Sequence, residues 1–190
     1  KPLTIEKIVA LFTSKDHAIS ESSLEARKSV ARAGSFDELL ERHVLSWGYL
    51  WRRCRITIED NERTAMALHL HIFHLLQTVS LNTIDLDAGV PPRGLHGEAY
   101  RGQVMWDVLF IFPFLNLRLP DITRALLQYR YRRLPEARWA AKQAGYNGAM
   151  YPWQSGSDGR EESQKLHLNP RSGRWIPDNS HLQYHINLAI

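Results

Sequence analysis

The stretch GLHGEAYRGQVMWD, residues 94–107, holds three glycines, the carboxylates Glu98 and Asp107, the aromatics Tyr100 and Trp106, and His96 and Arg101. It stands directly before the apolar run VLFIFPFLNL. Chemistry is usually placed on loops with a packed element behind them, and the glycines suggest close backbone approach to something. Carboxylates beside aromatic faces suit sugar recognition. The carboxylates accept hydrogen bonds from hydroxyls, and a ring covers the apolar side of a pyranose. The same residues also read as ordinary structure: Asp107 favoured at a helix N-terminus, Trp106 in a core, Arg101 paired with Glu98. MYPWQSGSDGREE, residues 150–162, repeats the theme with Tyr151, Trp153, Gln154, Asp158, Glu161 and Glu162. A solvated loop with two buried aromatics accounts for it nearly as well.

Other constellations point away from chemistry. LHLHIFH presents His69, His71 and His74, but only His71 and His74 share a helical face, with no cysteine or carboxylate at ligand spacing. They read as core or interhelical histidines, and no metal site is expected. The glycines of GLHGEAYRG follow no strand, so a dinucleotide-binding reading fails its context. A single cysteine, Cys54, excludes an internal disulfide and fits a reducing, cytoplasmic setting. The net charge of +4 is mild for 190 residues. Its arginines gather in RALLQYRYRR, which reads as a solvated helix face, so no nucleic-acid partner is expected. KPLTIEKIVALFTSKD lacks the pattern of a signal peptide. No window approaches the roughly 18 consecutive apolar residues of a membrane span.

The elements that must position these residues are mostly helical. TIEKIVALFT reads as one strand without a following partner, and a short charged helix covers Ser22 to Arg32. The next segment opens with a capping box, Ser35 with Glu38. Phe36, Leu39, Leu40, Val44, Trp47, Leu50 and Trp51 then form a stripe facing a core. RITIED is a short strand or an extended linker. ERTAMALHLHIFHLLQTV is apolar on nearly every face past Thr64, which predicts a helix buried all round. A polar loop over 81–102 leads to a helix from about Val104 to Leu117. DITRALLQYRYRRL forms an amphipathic helix with Asp121 as N-cap, and PEARWAAKQAG follows with Pro135 first and Gly145 at the stop. The two make a hairpin with almost no loop. Residues 146–179 are irregular, too long for filler, and a final helix begins near Ser180.

An unpaired strand at one end and an uncapped apolar helix at the other predict a piece of a longer polypeptide. Alternating short and long connections suit a ring of helical hairpins whose long loops share one face. The expectation is a mainly α chain. Residues 1–15 would be the tail of an N-terminal β-sandwich, 16–60 linker helices, and 61–190 the first part of a helical barrel.

RGLHGEAYRGQVMWD, followed by LRLPDITRALLQYRYRRLPEARWAAKQAGYNGAMYPWQSGSDGREE, resembles glycoside hydrolase family 65. These are inverting phosphorylases of trehalose, maltose and kojibiose, with related hydrolases. The resemblance runs from about residue 62 to the end. It implies an (α/α)6 barrel truncated at its C-terminal end, an α-linked glucose disaccharide as substrate, and inorganic phosphate as co-substrate with no cofactor. It also leaves a homodimer open for the full-length protein. Trp106 and Asp107 match the pair that contacts the glucosyl unit before the scissile bond. Tyr100 and Arg101 would shape that loop, and Trp153 and Gln154 would come from the next. The family's run reads Tyr-Arg-Gly-His-x-Phe-Trp-Asp-Thr-Glu, whereas this chain carries Gln103, Met105, Val108 and Leu109. The general-acid glutamate and the phosphate loop of the family lie downstream of Ile190. No catalytic residue is therefore expected in this chain, and no turnover by it alone. A trehalase-like or glucoamylase-like hydrolase and a non-catalytic sugar-binding module remain the competing readings.

Overall fold

The computed structural model describes residues 3–95, 100 and 102–190. The chain is mainly α, and its described residues include four short strands in two ribbons. It divides into two compact units, Lys1–Ile72 and Phe73–Ile190.

In the first unit, the opening run expected as a strand carries no regular secondary structure over residues 3–13. A strand is defined by its ladder, and no described segment pairs with this one. Helix α1 spans Ser22–Arg32, capped by the Glu21 carboxylate, which accepts from the Ser23 and Leu24 amides. Helix α2 spans Phe36–Cys54 and begins with both halves of the expected capping box. Its apolar stripe departs from expectation. Leu39, Trp47, Leu50 and Trp51 are half-buried, while Phe36, Leu40 and Val44 are exposed. Periodicity marks the face a helix would bury; it does not supply the surface that covers it. RITIED takes the linker form, with no regular structure over residues 55–58.

Helix α3 spans Glu62–Thr78. It was expected to be buried all round, yet only Ile72 and Leu76 are buried, and Met66 is 68 % exposed. His69 reaches the Ile56 carbonyl at 3.0 Å and meets Trp51 edge-on, an interhelical role of the kind its spacing suggests.

Most of the buried apolar residues lie in the second unit. The expected helix over 104–117 resolves into three pieces: strand β1 (Val104–Met105), a 3-10 turn (Trp106–Ile111) and helix α4 (Phe112–Arg118). Pro113 sits in the first turn of α4, where its missing N–H costs nothing. Helix α5 spans Pro120–Arg132, and Leu119 rather than Asp121 is its N-cap. Proline with its preset φ begins the helix, which leaves Asp121 inside the first turn, where the dipole favours it. Helix α6 spans Leu134–Gln143, so Pro135 is second rather than first. One residue, Arg133, joins the two helices. The chain stops at Gly145, whose φ of +81° allows Tyr146 to donate to the Ala141 carbonyl. Leu115, Leu119, Ile122, Leu126, Tyr129, Ala137 and Ala141 fill the space between these helices.

The long polar segment is less irregular than expected. Strand β2 (Gln154–Ser155) pairs antiparallel with β1. Strands β3 (Leu166–Asn169) and β4 (Arg174–Pro177) form a hairpin. The final helix expected near Ser180 is two 3-10 turns, Ser180–Leu182 and Tyr184–Leu188.

Gly89 makes the close approach that the glycines of residues 94–102 were expected to make. A Cβ there would stand 2.0 Å from the Gln103 carbonyl oxygen, whereas Gly94 and Gly102 have open space and use their positive φ. Gly97 lies outside the described residues. Gly89→Ala is expected to destabilise by about 1–3 kcal/mol, the usual cost of overpacking, read as a lower urea midpoint.

Candidate functional site

One short ribbon, β1 with β2, brings the predicted loops together. Val104 pairs with Ser155 and Met105 with Gln154, and the Trp106 amide donates to the Trp153 carbonyl at 3.3 Å. The junction rests on Tyr129 of α5, only 2 % exposed. Its hydroxyl shares a 2.8 Å hydrogen bond with Ser155 Oγ and also donates to the Gly156 carbonyl. Burial pushes the Tyr129 phenol above its ordinary value. Arg130 beside it is buried too, and donates from Nη2 to the Met105 carbonyl at 3.1 Å. The RALLQYRYRR helix was expected to turn its basic residues to solvent, and Arg130 contradicts that. It ties down the strand that precedes Trp106.

Trp106 is half-buried at the start of its 3-10 turn. Its ring meets Phe110 edge-on at 5.6 Å and His185 at 6.1 Å. Asp107 follows it, half-buried, against a cavity of about 320 Å³ also lined by Leu75, Thr78, Val90, Pro91 and Ile111. Burial raises the Asp107 carboxyl above its usual range, and a backbone hydrogen bond lowers it in part. Among the described residues Asp107 forms no ion pair.

Tyr100 and Trp153 come together, ring centroids 6.3 Å apart and nearly perpendicular. Tyr100 has a φ of +62°, a conformation a tyrosine adopts only where its surroundings hold it. The Arg93 guanidinium lies 5.7 Å from the Tyr100 ring centre. Arg101 and Glu98 lie outside the described residues. Trp153 lines a second, larger cavity of about 670 Å³ together with Trp139, Tyr151, Glu161 and Tyr184. Asp107 lines the first cavity only, and Gln154 lines neither. The predicted residues therefore share one backbone junction but do not surround one pocket.

Glu161 is spent on the loop itself. Its carboxylate accepts from the Trp153 amide at 2.7 Å, the Gln154 amide at 3.3 Å and the Ser163 amide at 3.0 Å. Glu162 accepts from Gln103 Nε2 at 2.8 Å, and Gln103 Oε1 accepts from Gln154 Nε2 at 2.7 Å. Asp87, with a φ of +53°, bonds Arg132 at 3.0 Å and Arg133 at 2.9 Å, and Arg133 also donates to the Ser157 carbonyl. Sequence inspection missed Tyr129, Arg130 and the Asp87–Arg133 strut. All three bond partners far away in the chain, which no local pattern announces. Among the described residues no group of three His, Cys, Asp or Glu side chains is arranged to hold a metal ion. No described helix is long and apolar enough to cross a membrane.

Residues 69–190 match the glycosyl hydrolase family 65 central catalytic domain, and residues 1–50 match the family's N-terminal domain. The chain belongs to glycosyl hydrolase family 65. It is 55% identical, over 99% of its length, to an uncharacterized glycosyl hydrolase of Mycobacterium tuberculosis, and covers 14% of that protein. It is 40% identical over 97% of its length to trehalose 6-phosphate phosphorylase of Lactococcus lactis, covering 24% of it. Kojibiose phosphorylase of Caldanaerobacter subterraneus is 38% identical over 100% of the chain, which covers 25% of that enzyme. The chain thus spans a quarter or less of the length of these relatives.

Proposed function

We propose that this chain is part of an inverting α-glucoside phosphorylase. Its substrate would be a disaccharide such as trehalose, maltose or kojibiose, and the chain would form one wall of the glucose subsite. The observation that carries the reading is Asp107: a half-buried carboxylate without a described ion-pair partner, facing a cavity of about 320 Å³. That volume lies at the small end of the range for ligand pockets and suits a single hexose. The kinship with phosphorylases of trehalose 6-phosphate and kojibiose supports the substrate class.

In this reading residues 61–190 begin an (α/α)6 barrel, residues 1–15 end a β-sandwich, and residues 16–60 link them. Asp107 accepts from sugar hydroxyls and Trp106 offers a ring face beside it. Tyr100 and Arg101 would shape the same loop, and Trp153 and Gln154 of the next loop would be further substrate-binding residues. Inversion requires an acid that protonates the departing oxygen while a nucleophile attacks from the opposite face. Inorganic phosphate is that nucleophile. The acid, a glutamate, is supplied from another part of the polypeptide.

The test is to incubate the full-length protein with each disaccharide, with and without inorganic phosphate, and to follow β-glucose 1-phosphate and free glucose. Phosphate-dependent release of the sugar phosphate is expected. Release of glucose alone, equally fast without phosphate, would make it a hydrolase instead.

A further inference from the structure

Asp107 shares its cavity of about 320 Å³ with His74, one of the histidines whose spacing suggested a core or interhelical role. His74 and Thr78 stand four residues apart near the end of α3, on one helical face, and both line the cavity. His71, which the spacing placed beside His74, is exposed and does not line it. The other lining residues have little hydrogen to give. The Thr78 hydroxyl donates to the Leu75 carbonyl at 2.7 Å, and the Gly94 amide donates to the Pro91 carbonyl at 3.0 Å. Pro91 and Pro92 have no N–H. Asp107, when ionised, only accepts. Val108 stands where the family's usual run has threonine, so this chain brings no hydroxyl there. Among the described residues of this wall, His74 is left as the side chain able to donate to a ligand. An imidazole has two ring nitrogens, so one can be held by the protein while the other meets a ligand.

We propose that His74 is a further substrate-binding residue, which donates a hydrogen bond to an oxygen of the glucosyl unit held by Asp107. This rests on the reading of that cavity as the glucose subsite. Every hexose hydroxyl both donates and accepts. A carboxylate takes up the hydrogens but offers nothing to the oxygen lone pairs. In a wall that is otherwise apolar, those acceptors would be buried without a donor, at a cost in free energy. A donor on α3 facing an acceptor in the turn after β1 removes that cost. It also lets the cavity tell a sugar from an apolar group of the same size.

Deoxy sugars test the contact one oxygen at a time. Glucose and its monodeoxy derivatives are titrated calorimetrically into the full-length protein and its His74→Leu variant. In the unmodified protein, removing the oxygen that His74 serves is expected to weaken binding about tenfold, as for loss of one good hydrogen bond. In His74→Leu, glucose itself should bind about tenfold more weakly, and the penalty at that one deoxy position should shrink to within about twofold. Penalties at the hydroxyls that Asp107 accepts should remain. His74 is half-buried, and leucine is a good helix former. His74→Met, equally helical and also without a donor, repeats the test where leucine disturbs packing. A purely structural role would weaken glucose and every derivative alike and leave their ratios unchanged. Unchanged ratios in both variants overturn the proposal. Asp107→Ala separates the two levels. If it abolishes glucose binding while the His74 variants keep every penalty, only the donor assignment fails. If it leaves glucose binding intact, or if the unmodified protein takes up no glucose, the reading of the cavity as a sugar subsite fails with it.

Discussion

Asp107→Ala in the full-length protein is expected to lower α-glucoside turnover by about 10²- to 10⁴-fold. That figure corresponds to losing two hydrogen bonds to a charged acceptor, each about 1.5–3 kcal/mol. The carboxylate is half-buried and forms no described ion pair, so its removal leaves no buried cation stranded. Folding should therefore change little. Asp107→Asn sharpens the point. Burial raises the folded carboxyl above its unfolded value, so the native state binds a proton more tightly than the unfolded chain. The associated stability is present below the ordinary carboxylate range and is lost as pH rises through the raised value. The asparagine variant has no proton to lose, so it should gain stability relative to the parent as pH increases, while turnover collapses. Denaturant midpoints measured across pH, beside initial rates, check both halves. A rate within experimental error of the parent would remove Asp107 from the sugar site.

Tyr129→Ala carries the largest expected loss of stability, about 3–5 kcal/mol, as for truncation of a large aromatic in a core. The side chain is 2 % exposed, and its ring faces the Arg133 guanidinium at 4.1 Å. Its hydroxyl joins Ser155 and Gly156 to α5. Tyr129→Phe keeps the ring and deletes only that join. It should cost about 1–3 kcal/mol, because the Gly156 carbonyl loses its donor. Ser155 can still turn its hydroxyl to the Val104 carbonyl, 3.3 Å away. Urea unfolding gives both numbers. Equal losses in the two variants would show that the hydroxyl, not the ring, holds the loop, and would contradict the packing argument.

Local chemistry explains why parts of this structure were legible in advance. The Ser35–Glu38 capping box, the bounds of α1 and the near-loopless α5–α6 hairpin depend on residues within a few positions of one another. Spacing in the chain then equals proximity in space. The pairing of β1 with β2 brings together residues about fifty positions apart, and nothing within either two-residue strand signals it. For the same reason Arg130 departs from the solvated face read in RALLQYRYRR, where Arg124 and Arg132 are exposed as expected. The segment's charge pattern suits a solvated face, but Arg130 finds the Met105 carbonyl and is drawn inside. The α2 and α3 stripes were misjudged in the opposite sense, because apolar periodicity names a face and not its cover.

The sequence by itself determined the mainly α character, the carbohydrate family and the residues worth testing, since those follow from short-range pattern and from motif. The tertiary structure alone decided that Asp107 and Trp153 line separate cavities and that Glu161 is consumed by its own loop. The physical reason is that burial, charge pairing and hydrogen-bond polarity are set by neighbours in space, and distant segments become neighbours only when the chain has folded.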